Sequence, residues 1–301
     1  MNKAPPVNGI DLVLQHASIN YDIMPPFNGM VGEPPRAIST NYARWHGIEA
    51  NEEITAEKVR ALALEMGVDV GLAPSARKLS DFKLIAFDMD STLITIECLD
   101  EIADFCGKKA EVAAITEAAM RGEIKDYTES LRRRVKFLAG LPESVLAEVY
   151  EQRLKLTPGA ETLIQACKSA GLKILLVSGG FTYFTNRLKE QLALDFVRSN
   201  QLEIVNGKLT GEVLGEVVDA EVKRRTLLEL CTQLGCEPSQ AIACGDGSND
   251  LKMMAAVGIS IAYKAKPIVQ EQASYAINHN GLEAALRFIE PRRASMPVST
   301  G

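Results

Sequence analysis

Short apolar runs alternate with helical patterns in the second half of the chain. The runs Leu84–Phe87, Lys173–Val177, Ala241–Cys244 and Ile259–Ala262 have the length and composition of buried parallel strands. A glycine-punctuated stretch, Leu202–Gly215, predicts a hairpin. Hydrophobic positions recur at helical spacing between these elements, which predicts helices at Ala160–Ala170, Tyr183–Gln191, Ala220–Leu234, Leu251–Ala256 and Pro267–Ala273.

This alternation predicts an α/β fold with a doubly wound parallel sheet, because right-handed crossovers place helices on both faces of such a sheet. Ligands of doubly wound sheets bind beyond the carboxyl ends of the strands. Three of the predicted strands end in polar residues, at Asp88, Ser178 and Gly245-Asp246. We therefore expect the chemistry where these three strand ends converge.

The predicted core comprises 79–95 and 157–291. One further segment interrupts it and another precedes it. Residues 96–156 contain no strand-like run, and their helical spacing predicts a helical cap inserted after the first strand; we call 96–156 the cap segment. Residues 1–78 contain three Pro-Pro pairs and one clear helical pattern, so that only the stretch 55–73 looks structured. Whether this appendage is a reduced regulatory module or a flexible extension is open. The tail 292–301 is predicted to be disordered.

Composition excludes several classes of function. The net charge is −6 and no basic stripe occurs, so nucleic acid is not an expected partner. No apolar run approaches the ~18 residues of a membrane span and the N-terminus lacks a signal-peptide core, so a cytoplasmic protein without membrane contact is expected. Six cysteines without a C-x-x-C pair favour buried free thiols over a metal or redox site, and three scattered histidines give little support to zinc or triad chemistry.

Four carboxylates follow two of the predicted strands, in Asp88-Met89-Asp90 and in the run from Asp246 to Asp250. Close carboxylates repel one another unless a hard cation neutralises them, and oxygen ligands favour Mg²⁺. The first pair alone could be two turn-forming acids that cap the next helix. A magnesium site is the functional interpretation.

Two more signals accompany the acids in sequence order. Ser178-Gly179-Gly180 follows a predicted strand and Lys223 lies near the start of a predicted helix. Taken singly, the first could be a tight turn and the second a solvated helix charge. All four signals in this order resemble the motifs of the haloacid dehalogenase superfamily, over Leu84 to Ile289.

The resemblance implies an active site with an aspartyl-phosphate intermediate. Asp88 would be the nucleophile and Asp90 the general acid and base. Mg²⁺ would be held by the Asp88 side chain, the main-chain carbonyl of Asp90 and Asp246, with Asp250 orienting the ligands. The phosphoryl oxygens would be bound by Ser178, the N–H of Gly179 and Lys223.

The cap segment resembles that of the phosphoserine phosphatases within this superfamily, in Glu97–Glu101, Ala119–Gly122, Tyr127 and Ser130–Val135. The implied reaction is the hydrolysis of O-phospho-L-serine to L-serine and phosphate, the last step of serine biosynthesis. Another capped phosphatase of the superfamily, acting on a different phosphomonoester, is the alternative. A non-catalytic receiver that phosphorylates an aspartate is a second one, although it would not need Asp90 or the cap segment. A homodimer is left open.

The same resemblance assigns the substrate-binding residues. Glu97 would bind the ammonium and Arg134 the carboxylate of the amino acid, with Met120 and Tyr127 as an apolar wall and Asn249 nearby. If the resemblance is set aside, the residues have ordinary structural interpretations. Glu97 and Arg134 would be exposed helix charges, Met120 would fill a core and Asn249 would cap a helix. This family usually has phenylalanine where Tyr127 stands.

Overall fold

The computed structural model describes residues 9–19, 22–49, 51–120, 123–124 and 126–289, with only the backbone of residues 119 and 120. The predicted tail lies outside the described residues. Among the helices described, none is long and apolar enough to cross a bilayer. All six cysteines are free thiols, and four of them are buried: Cys98, Cys167, Cys231 and Cys244.

The first part of the chain forms a four-stranded antiparallel sheet, which we call the N-terminal module (Ile10–Pro74). The prediction that only 55–73 is structured is therefore wrong. The strand order is β2-β3-β1-β4. The elements in chain order are β1 (Ile10–Gln15), α1 (Met24–Val31), β2 (Ala37–Ile38), β3 (Tyr42–Ile48), α2 (Ala56–Met66) and β4 (Asp69–Pro74).

Strand β1 buries side chains on both faces of this sheet. Leu12 and Leu14 pack with Phe27 of α1 in the core of the module. On the other face, Asp11 and Gln15 are fully buried although they are polar. Because polar residues occupy these buried positions, β1 lacks the pattern of apolar residues by which a strand is predicted from the sequence.

The larger domain, which comprises the described residues from 79 to 289, begins its sheet with β5 (Leu84–Phe87), and the cap segment follows it. The helices of the cap segment are α3 (Cys98–Phe105), α4 (Lys109–Met120), α5 (Tyr127–Val135) and α6 (Ser144–Gln152). The remaining strands are β6 (Lys173–Phe181), β7 (Phe196–Val205), β8 (Lys208–Leu214), β9 (Ala241–Gly245), β10 (Ile259–Tyr263) and β11 (Tyr275–Ile277). The remaining helices are α7 (Ala160–Ser169), α8 (Thr182–Leu192), α9 (Ala220–Leu234), α10 (Leu251–Met254), α11 (Pro267–Gln272) and α12 (Ala285–Ile289).

These strands form a seven-stranded sheet in the order β11-β10-β9-β5-β6-β7-β8. All neighbours are parallel except β7 and β8, which form the predicted hairpin. Alternate residues of β5 face two separate cores, with Ile85 and Phe87 in one and Leu84 and Ala86 in the other. The sheet is thus covered on both faces, and the predicted doubly wound fold is confirmed.

The cap segment is fixed to the β7–β8 hairpin by backbone hydrogen bonds. The N–H of Gly140 donates to the carbonyl of Leu209 at 2.8 Å, and the N–H of Leu209 donates to Leu141 at 2.9 Å. The N–H of Glu143 donates to the carbonyl of Gly207 at 2.9 Å. One end of the cap segment is therefore tied to the edge of the sheet.

The N-terminal module packs against the last elements of the chain. Val13 and Ala73 share one hydrophobic core with Tyr275 and Phe288, whose rings stack with centroids 4.5 Å apart. Gly71 lies so close to these rings that an added Cβ would be 2.7 Å from Tyr275. The absence of a side chain at this position is what allows the sheet to approach.

Polar contacts reinforce the same junction. The side-chain amide of Gln15 donates to the carbonyl of Ala284 at 3.0 Å, and the guanidinium of Arg44 donates to the carbonyl of Arg287 at 3.0 Å. Asp69 accepts hydrogen bonds from the backbone N–H groups of 278–280. Buried polar side chains thus bond across the junction, so the module is an integral part of this fold.

Candidate active site

The polar strand ends meet at one edge of the larger sheet. Asp88 follows β5, Ser178 lies near the end of β6 and Asp246 follows β9, and β5 lies between the other two strands. A cavity of about 360 Å³ opens above this edge, and the cap segment forms its opposite wall. The expected position of the chemistry is therefore occupied by a pocket of ligand size.

The loop after β5 folds back on itself immediately beyond Asp88. Ser91 has a φ of 56°, in the left-handed region that non-glycine residues seldom adopt. The N–H of Ile94 closes the loop by donating to the carbonyl of Met89 at 3.0 Å. The loop thus directs both Asp88 and Asp90 into the cavity, and local strain is concentrated beside them.

Asp88 is held by a buried cation. The Nζ of Lys223, on α9, lies 2.8 Å from the Asp88 Oδ1 and 2.8 Å from the Asp250 Oδ1. The N–H of Met89 also donates to Asp88 Oδ1 at 2.7 Å. Burial by itself would lower the pKa of Lys223, but the charges of Asp250 and Asp88 raise it, so the ammonium keeps its proton.

Three carboxylates converge around this point. One oxygen atom each of Asp88, Asp246 and Asp250 lies within 4.8 Å of the others. Burial, followed by the charge of Asp250, raises the pKa of Asp88 well above its usual range and that of Asp246 to about 7. Three hard oxygen donors that repel one another this strongly fit a divalent cation, which would offset the repulsion.

Asp90 has the properties of a proton donor near neutral pH. Burial and the charge of Glu97 raise the pKa of Asp90 to about 7, although the N–H of Cys98 opposes them by donating to its Oδ1 at 3.0 Å. Ser91 donates to Glu97 at 2.6 Å and holds that second carboxylate near the first. A general acid or base works best with a pKa close to the operating pH.

The Ser178-Gly179-Gly180 segment presents backbone to the cavity. Ser178 Oγ accepts a hydrogen bond from the N–H of Gly180 at 2.8 Å, and the carbonyl of Gly179 accepts one from Asn200 at 2.7 Å. The Tyr127 hydroxyl lies directly against Gly179, where any added Cβ would overlap it. Glycine is thus needed there for close approach of the cap segment.

The predicted substrate-side residues line the same cavity from the cap segment. Glu97, Tyr127 and Arg134 are among its lining residues, as is Asn249 from the opposite side. Arg134 makes only long hydrogen bonds, of 3.4 Å to the carbonyl of Ser130 and 3.5 Å to Thr116. The side chain of Met120 lies outside the part of the chain that the structure describes.

Sequence reasoning missed one charged residue of the cavity, Lys266. It caps α11 immediately before Pro267, and its N–H donates to the carbonyl of Asp246 at 3.2 Å. The rule that strand ends meet at one edge would have found it, because Lys266 follows β10 by three residues. Its charge acts on the Glu97 side of the pocket, where burial raises the pKa of Glu97 and Lys266 opposes that rise.

Comparison with protein families matches residues 85–255 to haloacid dehalogenase-like hydrolase. The chain belongs to this family. A phosphoserine phosphatase from Polaromonas sp. strain JS666 is 60% identical over 228 residues, which are 74% of this chain and 97% of that protein. The name of this relative describes an enzyme that cleaves a phosphate ester.

Solved structures agree with this membership of the haloacid dehalogenase-like hydrolases. A probable phosphoserine phosphatase from Vibrio cholerae, in unliganded form, is 37% identical with a TM-score of 0.80, covering 96% of this chain and 88% of that one. A phospho-aspartyl intermediate analogue of phosphoserine phosphatase is 40% identical with a TM-score of 0.65, covering 69% of this chain and 99% of that one. The first similarity is broad enough to include the N-terminal module.

Proposed function

We propose that this chain hydrolyses O-phospho-L-serine to L-serine and phosphate, with Asp88 as the nucleophile. One observation carries the proposal: Asp88, which is paired with the buried Lys223, and Asp90 lie on one wall of a cavity whose other wall carries Glu97 and Arg134. The first wall suits a phosphoryl group and the second suits an amino acid. The names of the similar proteins support the same substrate.

In the first step, the Asp88 carboxylate attacks phosphorus while the bond from phosphorus to the serine oxygen breaks. The charge of Lys223 opposes the rise in the pKa of Asp88 and favours its carboxylate form. Lys223 and the N–H of Met89 fix the orientation of this carboxylate at 2.8 Å and 2.7 Å. Asp90 gives its proton to the departing serine oxygen. Its raised pKa, about 7, means that a proton is available near neutral pH.

In the second step, water attacks phosphorus and Asp90, now a carboxylate, accepts the proton of that water. The bond between phosphorus and Asp88 breaks, and phosphate leaves. Ser178, the N–H of Gly179 and Lys223 are the donors proposed for the phosphoryl oxygens, where charge spreads during both steps. Each donor except Lys223 belongs to the rigid end of β6.

A divalent cation fits the carboxylate cluster, and we propose Mg²⁺ because all of its protein ligands would be oxygens. Asp88, Asp246 and the main-chain carbonyl of Asp90 would hold it, with Asp250 orienting the ligands. When bound, the ion supplies positive charge that offsets the negative charge of the phosphoryl group and the carboxylates.

Recognition of serine is assigned to the cap segment, which we propose closes the site and excludes water. Glu97 would bind the ammonium and Arg134 the carboxylate, with Tyr127 and Met120 beside them and Asn249 at the rim. The long hydrogen bonds of Arg134 leave its guanidinium available to a ligand. A cytoplasmic role in the last step of serine biosynthesis belongs to the same proposal.

Phosphate release from a panel of phosphomonoesters tests this function. We expect a kcat/KM for phosphoserine at least tenfold above those for phosphothreonine and phosphoethanolamine, because only phosphoserine fills both ends of the pocket without an added methyl group. A higher value for an ester without an amino acid group would favour the alternative, a capped phosphatase of other specificity. Phosphorylation of Asp88 without turnover of any ester would favour a receiver.

A further inference from the structure

Tyr127 reaches the phosphate side of the cavity from the cap segment. It is the first residue of α5, and its neighbour Asp126 fixes the start of this helix by accepting a hydrogen bond from the N–H of Thr128 at 2.8 Å. Arg134 follows seven residues later and therefore lies on the same helical face. One helix thus presents a phenol and a guanidinium to the pocket.

The hydroxyl of Tyr127 meets the backbone that is proposed to bind phosphate. It lies against Gly179, on the side from which a Cβ would project. The peptide of Gly179 is held in place by Asn200, which donates to its carbonyl at 2.7 Å and accepts from the N–H of Val218 at 2.8 Å. Asn200 is itself buried, so the target surface of the hydroxyl is rigid.

Within the described residues the Tyr127 hydroxyl makes no hydrogen bond, and Tyr127 lines the cavity. Burial raises the pKa of Tyr127 to about 12, against the opposing charges of Lys223 and Arg134. The phenol therefore keeps its proton at neutral pH. A phenylalanine would build the same apolar wall without a donor.

We propose that the Tyr127 hydroxyl donates a hydrogen bond to a phosphoryl oxygen of the bound substrate, beside the N–H of Gly179. The cap segment then contributes a phosphate ligand of its own, in addition to the groups on the sheet. This inference rests on the proposed function only in requiring a phosphate ester as substrate. It does not depend on which alcohol carries the phosphate.

The test is Tyr127→Phe, which removes one oxygen atom and keeps the ring. We expect the affinity for inorganic phosphate, measured by calorimetry, and kcat/KM for phosphoserine and phosphoethanolamine all to fall by a similar factor. A lost hydrogen bond to a charged group corresponds to roughly ten- to a hundredfold. The affinity for free L-serine, measured in the same way, should stay within about twofold.

Tyr150→Phe is the matched control. Its hydroxyl donates to Gln191 at 2.8 Å and also joins the cap segment to the core, on α6 and α8, but it does not line the cavity. We expect this variant to behave as wild type. An equal loss in both variants would mean that Tyr127 only docks the cap segment, and this would overturn the proposal.

Two other outcomes are equally decisive. Unchanged phosphate affinity in Tyr127→Phe would overturn the proposal, as would a loss confined to phosphoserine and free serine, because the hydroxyl would then serve the amino acid end. If wild type prefers another ester to phosphoserine, the proposed substrate fails. The phosphate titration still decides the role of Tyr127 in that case.

Discussion

The Asp88 carboxylate is the single group on which the proposed covalent chemistry depends. Asp88→Asn keeps the shape of the side chain and removes the nucleophile, so we expect turnover to fall below detection while the far-UV circular dichroism stays unchanged. Phosphate release at saturating phosphoserine measures this. Substantial activity in the variant would contradict the aspartyl-phosphate mechanism.

Beryllofluoride trapping supplies the complementary experiment. Wild type should bind this phosphoryl mimic at Asp88, and Asp88→Asn should not, because the amide oxygen is a poor ligand for beryllium. The ¹⁹F NMR signal of bound beryllofluoride reports the adduct in the intact protein, and its loss in single Asp→Asn variants locates it. An adduct on Asp246 or Asp250 instead would move the nucleophile to another carboxylate of the cluster.

Arg134 allows a test of substrate recognition. Arg134→Lys keeps the charge but loses the planar pair of donors, so KM for phosphoserine should rise, with kcat/KM lower by roughly ten- to a hundredfold. Hydrolysis of phosphoethanolamine, which has no carboxylate, should change little. The comparison of the two substrates in a steady-state assay isolates the carboxylate contact.

Arg133 is the control on the same helix. It forms an exposed ion pair with Glu129 one turn earlier and does not line the cavity. Arg133→Lys should leave both substrates unaffected, since exposed pairs contribute little. Similar losses at Arg133 and Arg134 would show a general electrostatic effect of the helix.

Candidate site residues could be predicted from the sequence where a motif identified them, as for Asp88, Asp90 and Ser178. The contacts between these residues could not be predicted. Lys223 and Asp250 are 27 positions apart and meet only through the packing of α9 against the end of β9. The Tyr127 hydroxyl could be noticed as a departure from the family, but its place beside Gly179 depends on the fold.

At the scale of elements, the β1–β3 pair is held by a buried ion pair. Arg44 donates to Asp11 at 2.7 Å, and His46, Ser75 and the N–H of Gly47 also bond this carboxylate. Asp11→Asn leaves Arg44 buried without its counter-charge, so we expect a loss of roughly 3–5 kcal/mol in the free energy of unfolding. Urea denaturation measures it.

The same carboxylate predicts a pH dependence. Burial alone would raise the pKa of Asp11, but its hydrogen bonds and Arg44 outweigh burial and hold the pKa well below the usual 3.8. The unfolded chain therefore binds more protons in acid, and the contribution of Asp11 is complete above the usual pKa and declines as the pH falls below it. Wild type should lose more stability than Asp11→Asn between pH 5 and about pH 3.

Glu53→Gln is the control for this pair. Glu53 forms an exposed ion pair with Lys58, in which the side chains are 76% and 48% accessible. The variant should change the free energy of unfolding by less than about 1 kcal/mol. A comparable loss at Glu53 would show that charge, and not burial, determines the effect at Asp11.

Strands could be predicted from the sequence where apolar residues marked every buried position. β5 and β9 are short apolar runs buried on both faces, and their ends were located to within one residue. β1 and β3 were missed because Asp11, Gln15 and Arg44 occupy buried positions and satisfy each other or the core. A pattern that scores polar residues as exposed cannot detect such a strand.

At the scale of the whole molecule, Val13 and Ala73 of the module belong to the main hydrophobic core of the larger domain. We therefore expect the module and the larger domain to unfold together. Trp45 is the single tryptophan of the chain and is buried in the module, where it packs near Phe27. Its fluorescence reports the module, whereas far-UV circular dichroism reports the entire chain. The two transitions in urea should coincide.

An earlier fluorescence transition would mean that the module unfolds on its own and that the shared core is weak. Loss of phosphatase activity offers a third probe, because every residue that lines the proposed active site belongs to the larger domain. Coincidence of all three signals would establish a single cooperative unit.

The junction of the module also orders events during synthesis of the chain. Gln15 of the first strand bonds Ala284, 269 positions later, next to the last helix. At about 5–20 residues per second, a ribosome needs on the order of tens of seconds to travel from β4 to α12. Throughout that time the nascent module has its polar face and Val13 without their final partners. The module is thus completed only after the elements that follow it, and chaperones that bind nascent chains have that interval in which to act.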